Sequence, residues 1–152
     1  MPELRVSVDV EAPVPMVWRA LVDWERQGEW MPLTDVRVVG GDPHGVGGRI
    51  EARTGVPTGD GRHAGLLDTL EITGWDPPRR VDVLHTGRVV RGPGVFEVVP
   101  RNAGATVVWT EHLDLPLGRL GRLAWPLVRP FAAYALHFGL SRFRDFARRY
   151  PS

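Results

Sequence analysis

Residues 4–11 alternate between apolar and polar without a break: Leu4, Val6, Val8 and Val10 share one face, and Arg5, Ser7, Asp9 and Glu11 the other. A period of two over this length predicts a strand buried on one side. Ala12-Pro13-Val14-Pro15 ends it, because proline brings no donor to a ladder. Pro15 suits the first turn of a helix, and Val14, Val17, Trp18, Leu21 and Val22 continue at spacings of three and four as one apolar stripe. A second short helical turn is predicted over 24–30 and stops at Met31-Pro32. Strands resume at 33–39 and 49–54, with five glycines among the nine residues of 40–48 between them. Residues 66–75 and 80–90 read as a hairpin around Asp76-Pro77-Pro78-Arg79. The last two strands are predicted at 95–99 and 105–115, after turns at Arg91-Gly92-Pro93-Gly94 and Arg101-Asn102-Ala103-Gly104.

That makes seven strands whose short connections require an antiparallel sheet. After Pro116 the pattern becomes helical, from 119 to 150. Pro126 and Pro130 interrupt the early turns, so the regular helix is expected from near Pro130. Leu127, Phe131, Tyr134 and Phe138 form one stripe on it, and Leu136, Leu140, Phe143 and Ala147 a second. About 20 helical residues reach roughly 30 Å, enough to cross a small sheet. Two short helices, seven strands and one long C-terminal helix make an α+β fold. With 152 residues, no internal repeat and no linker, one domain over 1–152 is expected.

Composition removes several function classes. The chain has no cysteine, which excludes disulfides, thiolate catalysis and cysteine-held metals. No run approaches the roughly 20 apolar residues of a membrane span. The opening residues lack the apolar centre of a secretory signal, so a cytoplasmic protein is expected. Net charge is +1, which gives general nucleic-acid binding no electrostatic support. The charge is uneven, however: from Leu115 onward seven arginines face a single acid, Asp145. A basic helix of this kind attracts an anionic membrane surface or an acidic carrier protein. It is equally the pattern of a solvated face whose arginines favour the C-terminal end of the helix dipole.

Three strings carry a resemblance: VSVDVEAPVPMVWRALVDWERQGEWMP, EITGWDPPRRV and FEVVPRNAGATVVWTEHLDLP. With the element order, they resemble the START-like or SRPBCC superfamily, also called the helix-grip or Bet v 1-like fold. Within it they are most similar to the bacterial polyketide cyclase/dehydrase and lipid-transport proteins. The resemblance implies a curved sheet gripping the C-terminal helix and an interior pocket that side chains leave partly vacant. It also implies that the loop at 40–48 stands at the pocket mouth. This fold hosts carriers, cyclases, hydrolases and receptors, so it does not by itself select an activity. Gly45-Val46-Gly47-Gly48 is no phosphate loop, since a strand follows it rather than a helix N-terminus.

Asp68, His85 and Glu111 fall on otherwise apolar strand faces. Such groups need partners or an opening to water. The turn at 76–79 sets His85 opposite Leu70 and diagonal to Asp68, within reach on one face. Glu111 lies two residues beyond Trp109 on the same face as that residue. An acid–imidazole group in an apolar site can orient a ligand or transfer protons; it can also be a purely structural polar cluster. Trp30, Met31, Leu70, Phe96, Trp109, Tyr134 and Phe138, with His85 and Glu111, are candidates to line a ligand cavity, or to form plain core. The remaining histidines (44, 63, 112, 137) share no metal-ligand spacing, so neither metal nor other cofactor is expected. No serine lies in a nucleophile-elbow string. Three readings follow: a carrier or sensor of a polyketide, acyl or lipid-like molecule; a polyketide cyclase, aromatase or dehydratase working through Asp68, His85 and Glu111; or a protein-interaction module.

Overall fold

The computed structural model describes residues 2–60, 62–115 and 117–151; Pro116, read above as the end of the sheet region, lies outside them. The strands are β1 (Glu3–Val10), β2 (Thr34–Gly40), β3 (Arg49–Pro57), β4 (His63–Asp76), β5 (Arg80–Thr86), β6 (Arg91–Arg101) and β7 (Gly104–His112). They form one curved antiparallel sheet in the order β1-β7-β6-β5-β4-β3-β2. Successive strands from β2 to β7 are neighbours, as their short connections demand. Only β1 breaks the sequence: the helical interruption carries the chain across the sheet, and β1 pairs β7 from Glu3↔His112 to Val10↔Ala105.

The interruption is α1 (Val14–Leu21) followed by a 3-10 helix (Trp24–Glu29). Val17, Trp18 and Leu21 of the predicted stripe are buried in α1 together with Ala20, while Val14 is half-buried and Val22 is buried just past the helix. The long helix, α2 (Arg119–Arg148), docks by its C-terminal third: Gly139, Leu140, Phe143, Phe146 and Ala147 are its buried residues. The core lies between these helices and the inward face of the sheet, with Val10, Ile50, Ile72, Val81 and Val107 fully enclosed.

Four sequence-based expectations are corrected. The helix does not wait for Pro130; it starts at Arg119 and continues through both prolines. Each proline deprives one carbonyl of its partner, but this half of α2 is exposed and water can serve those groups. Its stripe at Leu127, Phe131, Tyr134 and Phe138 is exposed at 76%, 78%, 69% and 43%. Only the second stripe packs against the body. Finally, Arg91-Gly92-Pro93-Gly94 is not a turn. The chain reverses at 87–90, and these four residues open β6, with Gly92 opposite His85 and Pro93 opposite Leu84. Proline is tolerated there because registered pairing with β7 begins only at Gly94↔Glu111. β7 in turn stops at His112 rather than at 115.

The glycine-rich loop at 40–48 is held against the 3-10 helix and β4. Trp24 Nε1 donates to the Pro43 carbonyl at 2.7 Å and His44 stacks on Trp75. The loop thereby closes the end of the sheet where β4 meets β5.

Candidate functional site

Register assembles the site. Leu70 opposes His85, so Asp68 stands diagonal to the imidazole on the inward face, and His85 Nδ1–H donates to Asp68 Oδ1 at 2.8 Å. Glu111 is two strands away from His85, across β6. Neighbouring strands lie about 4.8 Å apart, so the two backbones are separated by roughly 10 Å and a side chain on β6 would stand between them. The inward positions of β6 there are Gly92 and Gly94. A Cβ on Gly94 would fall 2.7 Å from Glu111 Oε2. The missing side chains leave a gap through which His85 Nε2–H donates to the Glu111 carboxylate at 2.9 and 3.1 Å. Trp109 Nε1 donates to the same carboxylate at 2.7 Å. The string read from sequence as a turn is therefore what allows the cluster to form.

Burial makes this cluster energetically demanding. His85 and Glu111 side chains are each 7% exposed, whereas Asp68 keeps 23%. Burial pushes the His85 imidazolium toward deprotonation. Its hydrogen bonds to Asp68 and Glu111, and the charges of both carboxylates, outweigh that and raise its pKa from 6.5 to about 10. At neutral pH one imidazolium thus sits between two carboxylates, with both ring N–H groups already committed. The cluster carries a surplus negative charge, and Asp68 is its outlet to solvent.

The cluster floors a cleft of about 40 Å³. Met31, Leu70, Phe96 and Trp109 form its apolar walls together with Trp24, Ala52 and Val83, and Gln27 adds a polar side chain; sequence reasoning missed these last four. Trp24 and Gln27 read from sequence only as parts of a short helical turn, and nothing in that pattern reveals which wall the turn supplies. At about 10–15 Å³ per water on this measure, the cleft holds around three waters. Among the described residues the cleft is far smaller than the vacancy implied by the resemblance, and tryptophans occupy the space: Trp18, Trp24, Trp30 and Trp109 are all 6% exposed or less. Trp30 is behind the wall rather than on it, edge-on to Trp109 at 6.3 Å, and its buried indole N–H meets no acceptor among the described residues. Tyr134 and Phe138 do not belong to the cleft; they stack on each other, centroids 6.2 Å apart, on the outer side of α2. His44, His63 and His112 are dispersed, and among the described residues no three His, Asp or Glu side chains are arranged to hold a metal ion.

The sequence matches the model of the family described as polyketide cyclase / dehydrase and lipid transport over residues 1–147. The chain belongs to that family. Its sheet and C-terminal helix are the helix-grip architecture of the SRPBCC superfamily, and solved structures agree. A Thermus thermophilus protein, TTHA0849, superposes with a TM-score of 0.79 at 22% identity, covering 97% of both chains. A Thermobifida fusca protein solved in solution gives 0.68 at 25% identity, over 97% of this chain and 95% of that one. The Zhui aromatase/cyclase of Streptomyces sp. R1128 gives 0.69 at 18% identity, over 97% and 94%. Among curated proteins, none matches the sequence. Membership of the polyketide cyclase/dehydrase and lipid-transport family supports a role in hydrophobic ligand binding or cyclisation. Among the described residues, no helix is long and apolar enough to cross a membrane.

Proposed function

We propose that this protein binds a small hydrophobic molecule carrying a hydrogen-bond donor, with its polar group on Asp68 and its apolar body against Met31, Leu70, Phe96 and Trp109. The observation that carries this reading is a buried charged cluster that reaches solvent through one carboxylate at the base of an apolar cleft. Sites for small molecules combine apolar walls with a few convergent polar groups in this way. The cluster's surplus negative charge favours a hydroxyl or amine over a carboxylate, so a neutral polyketide-like or lipid-like molecule fits better than a fatty acid. A guest larger than the cleft enters by moving Met31, whose unbranched side chain is half-buried and readily repacks.

Binding is favoured over proton transfer by the geometry of His85. Both of its N–H groups are spent on carboxylates, so it has no free donor or lone pair to offer a substrate. A cyclase reading is supported by the family and by the fold it shares with an aromatase/cyclase. It would rest on Asp68 as the accessible base. Native mass spectrometry of the purified chain is expected to show a bound lipid-like mass, and Leu70→Trp is expected to remove it. A clean apo mass, together with no binding of 2-naphthol in titration calorimetry, sinks the guest reading. Asp68→Asn separates the two roles: it weakens binding in a carrier and abolishes turnover with binding retained in a cyclase.

A further inference from the structure

One face of the N-terminal two-thirds of α2 has no protein partner among the described residues. Leu120, Leu123, Leu127, Phe131, Tyr134 and Phe138 succeed one another at spacings of three and four, and they are exposed at 68%, 76%, 76%, 78%, 69% and 43%. At about 3.6 residues per turn they form a single stripe. Leu140, Phe143 and Ala147, which dock on the body, occupy the opposite side of the same helix. The stripe therefore points away from the protein, and lowering α2 onto the sheet without rotating it would leave the stripe in water. Contiguous apolar surface of this kind marks an interaction site.

Further apolar groups gather at the end of the sheet where α2 begins. Leu33 stands just before β2, Val56 near the end of β3, Val89 in the reversal between β5 and β6, and Leu117 just before α2. They are exposed at 60%, 71%, 52% and 77%. His85 is one residue from the end of β5 and Glu111 one from the end of β7, so the cleft lies toward the same end.

Charge selects the occupant. No acidic residue occurs between Asp114 and Asp145, whereas Arg119, Arg122 and Arg129 fall within the exposed stretch, with Arg122 and Arg129 on the side away from the stripe. A second copy of the chain would add three more arginines and no acid to pair with them, unlike the flanking opposite charges of helix pairs. Pro126 and Pro130 also spoil a regular helix–helix seam. An anionic lipid surface satisfies both faces: the stripe enters the headgroup–acyl boundary and the arginines extend to phosphate groups.

We propose that residues 117–138 lie in the interfacial plane of anionic membranes and set the cleft end of the protein against the bilayer. The full chain is expected to co-sediment with vesicles of equimolar phosphatidylcholine and phosphatidylglycerol, at least tenfold more tightly than with phosphatidylcholine alone. The paired change Leu127→Asp, Phe131→Asp should abolish binding to both. Both residues are exposed, so an unchanged thermal transition will confirm that the variant folds. Replacing Arg119, Arg122 and Arg129 by Gln should weaken binding to the anionic vesicles by about fivefold per residue. Absence of vesicle binding overturns the proposal. Equal binding to both compositions does so as well, as does a dimer in sedimentation velocity that the paired change dissociates while vesicles have no effect. Because the probe is lipid alone, these results are independent of whether the cleft binds a guest.

Discussion

Raising the pH should weaken this protein through one residue. The His85 pKa is raised from 6.5 to about 10 in the fold. Its stabilising contribution is therefore complete below about pH 6.5 and is lost progressively as the pH climbs through about 10. Inside that window the slope is about 1.4 kcal/mol per pH unit, so moving from pH 7 to pH 9 should remove about 3 kcal/mol. Domains of this size are stable by about 5–15 kcal/mol, which makes the loss large enough to read. With a urea m-value of about 2 kcal/mol per molar, the unfolding midpoint should fall by about 1.5 M. Urea titrations followed by tryptophan fluorescence at pH 7, 8 and 9 measure it. The control is His85→Gln with Glu111→Gln, which removes the cation and its buried partner together and avoids stranding one unpaired charge. The control should be nearly flat with pH once the contribution of the other titrating groups, common to both proteins, is subtracted. Equal slopes in the two proteins would show that the imidazolium is not held by the carboxylates, and the charge assignment of the cleft would fall with it.

Two further outcomes test the packing. Tyr150 Oη donates to Asp23 Oδ2 at 2.6 Å, tying the end of α2 to the start of the 3-10 helix, and Arg26 lies 5.4 Å over the same ring. Tyr150→Phe keeps the ring and loses only the hydrogen bond, so chemical denaturation should register a loss of about 1 kcal/mol; no change would mean that water replaces the bond without cost. Gly139 is buried in α2, yet a Cβ there meets nothing within 4 Å. Gly139→Ala should therefore stabilise the helix by about 1 kcal/mol and raise the melting temperature in calorimetry by about 2–4 °C; a lower melting temperature would mean that the neighbouring space is already in use.

The strands and their partners were legible in local pattern. Alternation in β1, the turn at 76–79 and short connections throughout are all properties of neighbouring residues. They sufficed to set Leu70 opposite His85 and to bring Asp68 within reach, because pairing register follows from turn position and a period of two. Membership of the family was legible for the same reason: its strings are mostly strand, turn and first-helix residues. Which apolar stripe finds a partner, by contrast, emerged only from the assembled fold. Phe131 and Phe143 have the same chemistry and sit on the same helix, yet one is 78% exposed and the other fully buried. No spacing rule separates them, because burial depends on where the sheet runs out beneath α2. The cleft was hidden for a related reason. Gly92 and Gly94 carry turn-like chemistry locally, and only their placement in an interior strand makes them the gap through which His85 meets Glu111. The volume of the interior was likewise beyond composition, since it is set by how four tryptophans from α1, the 3-10 helix and its C-cap, and β7 converge on one space.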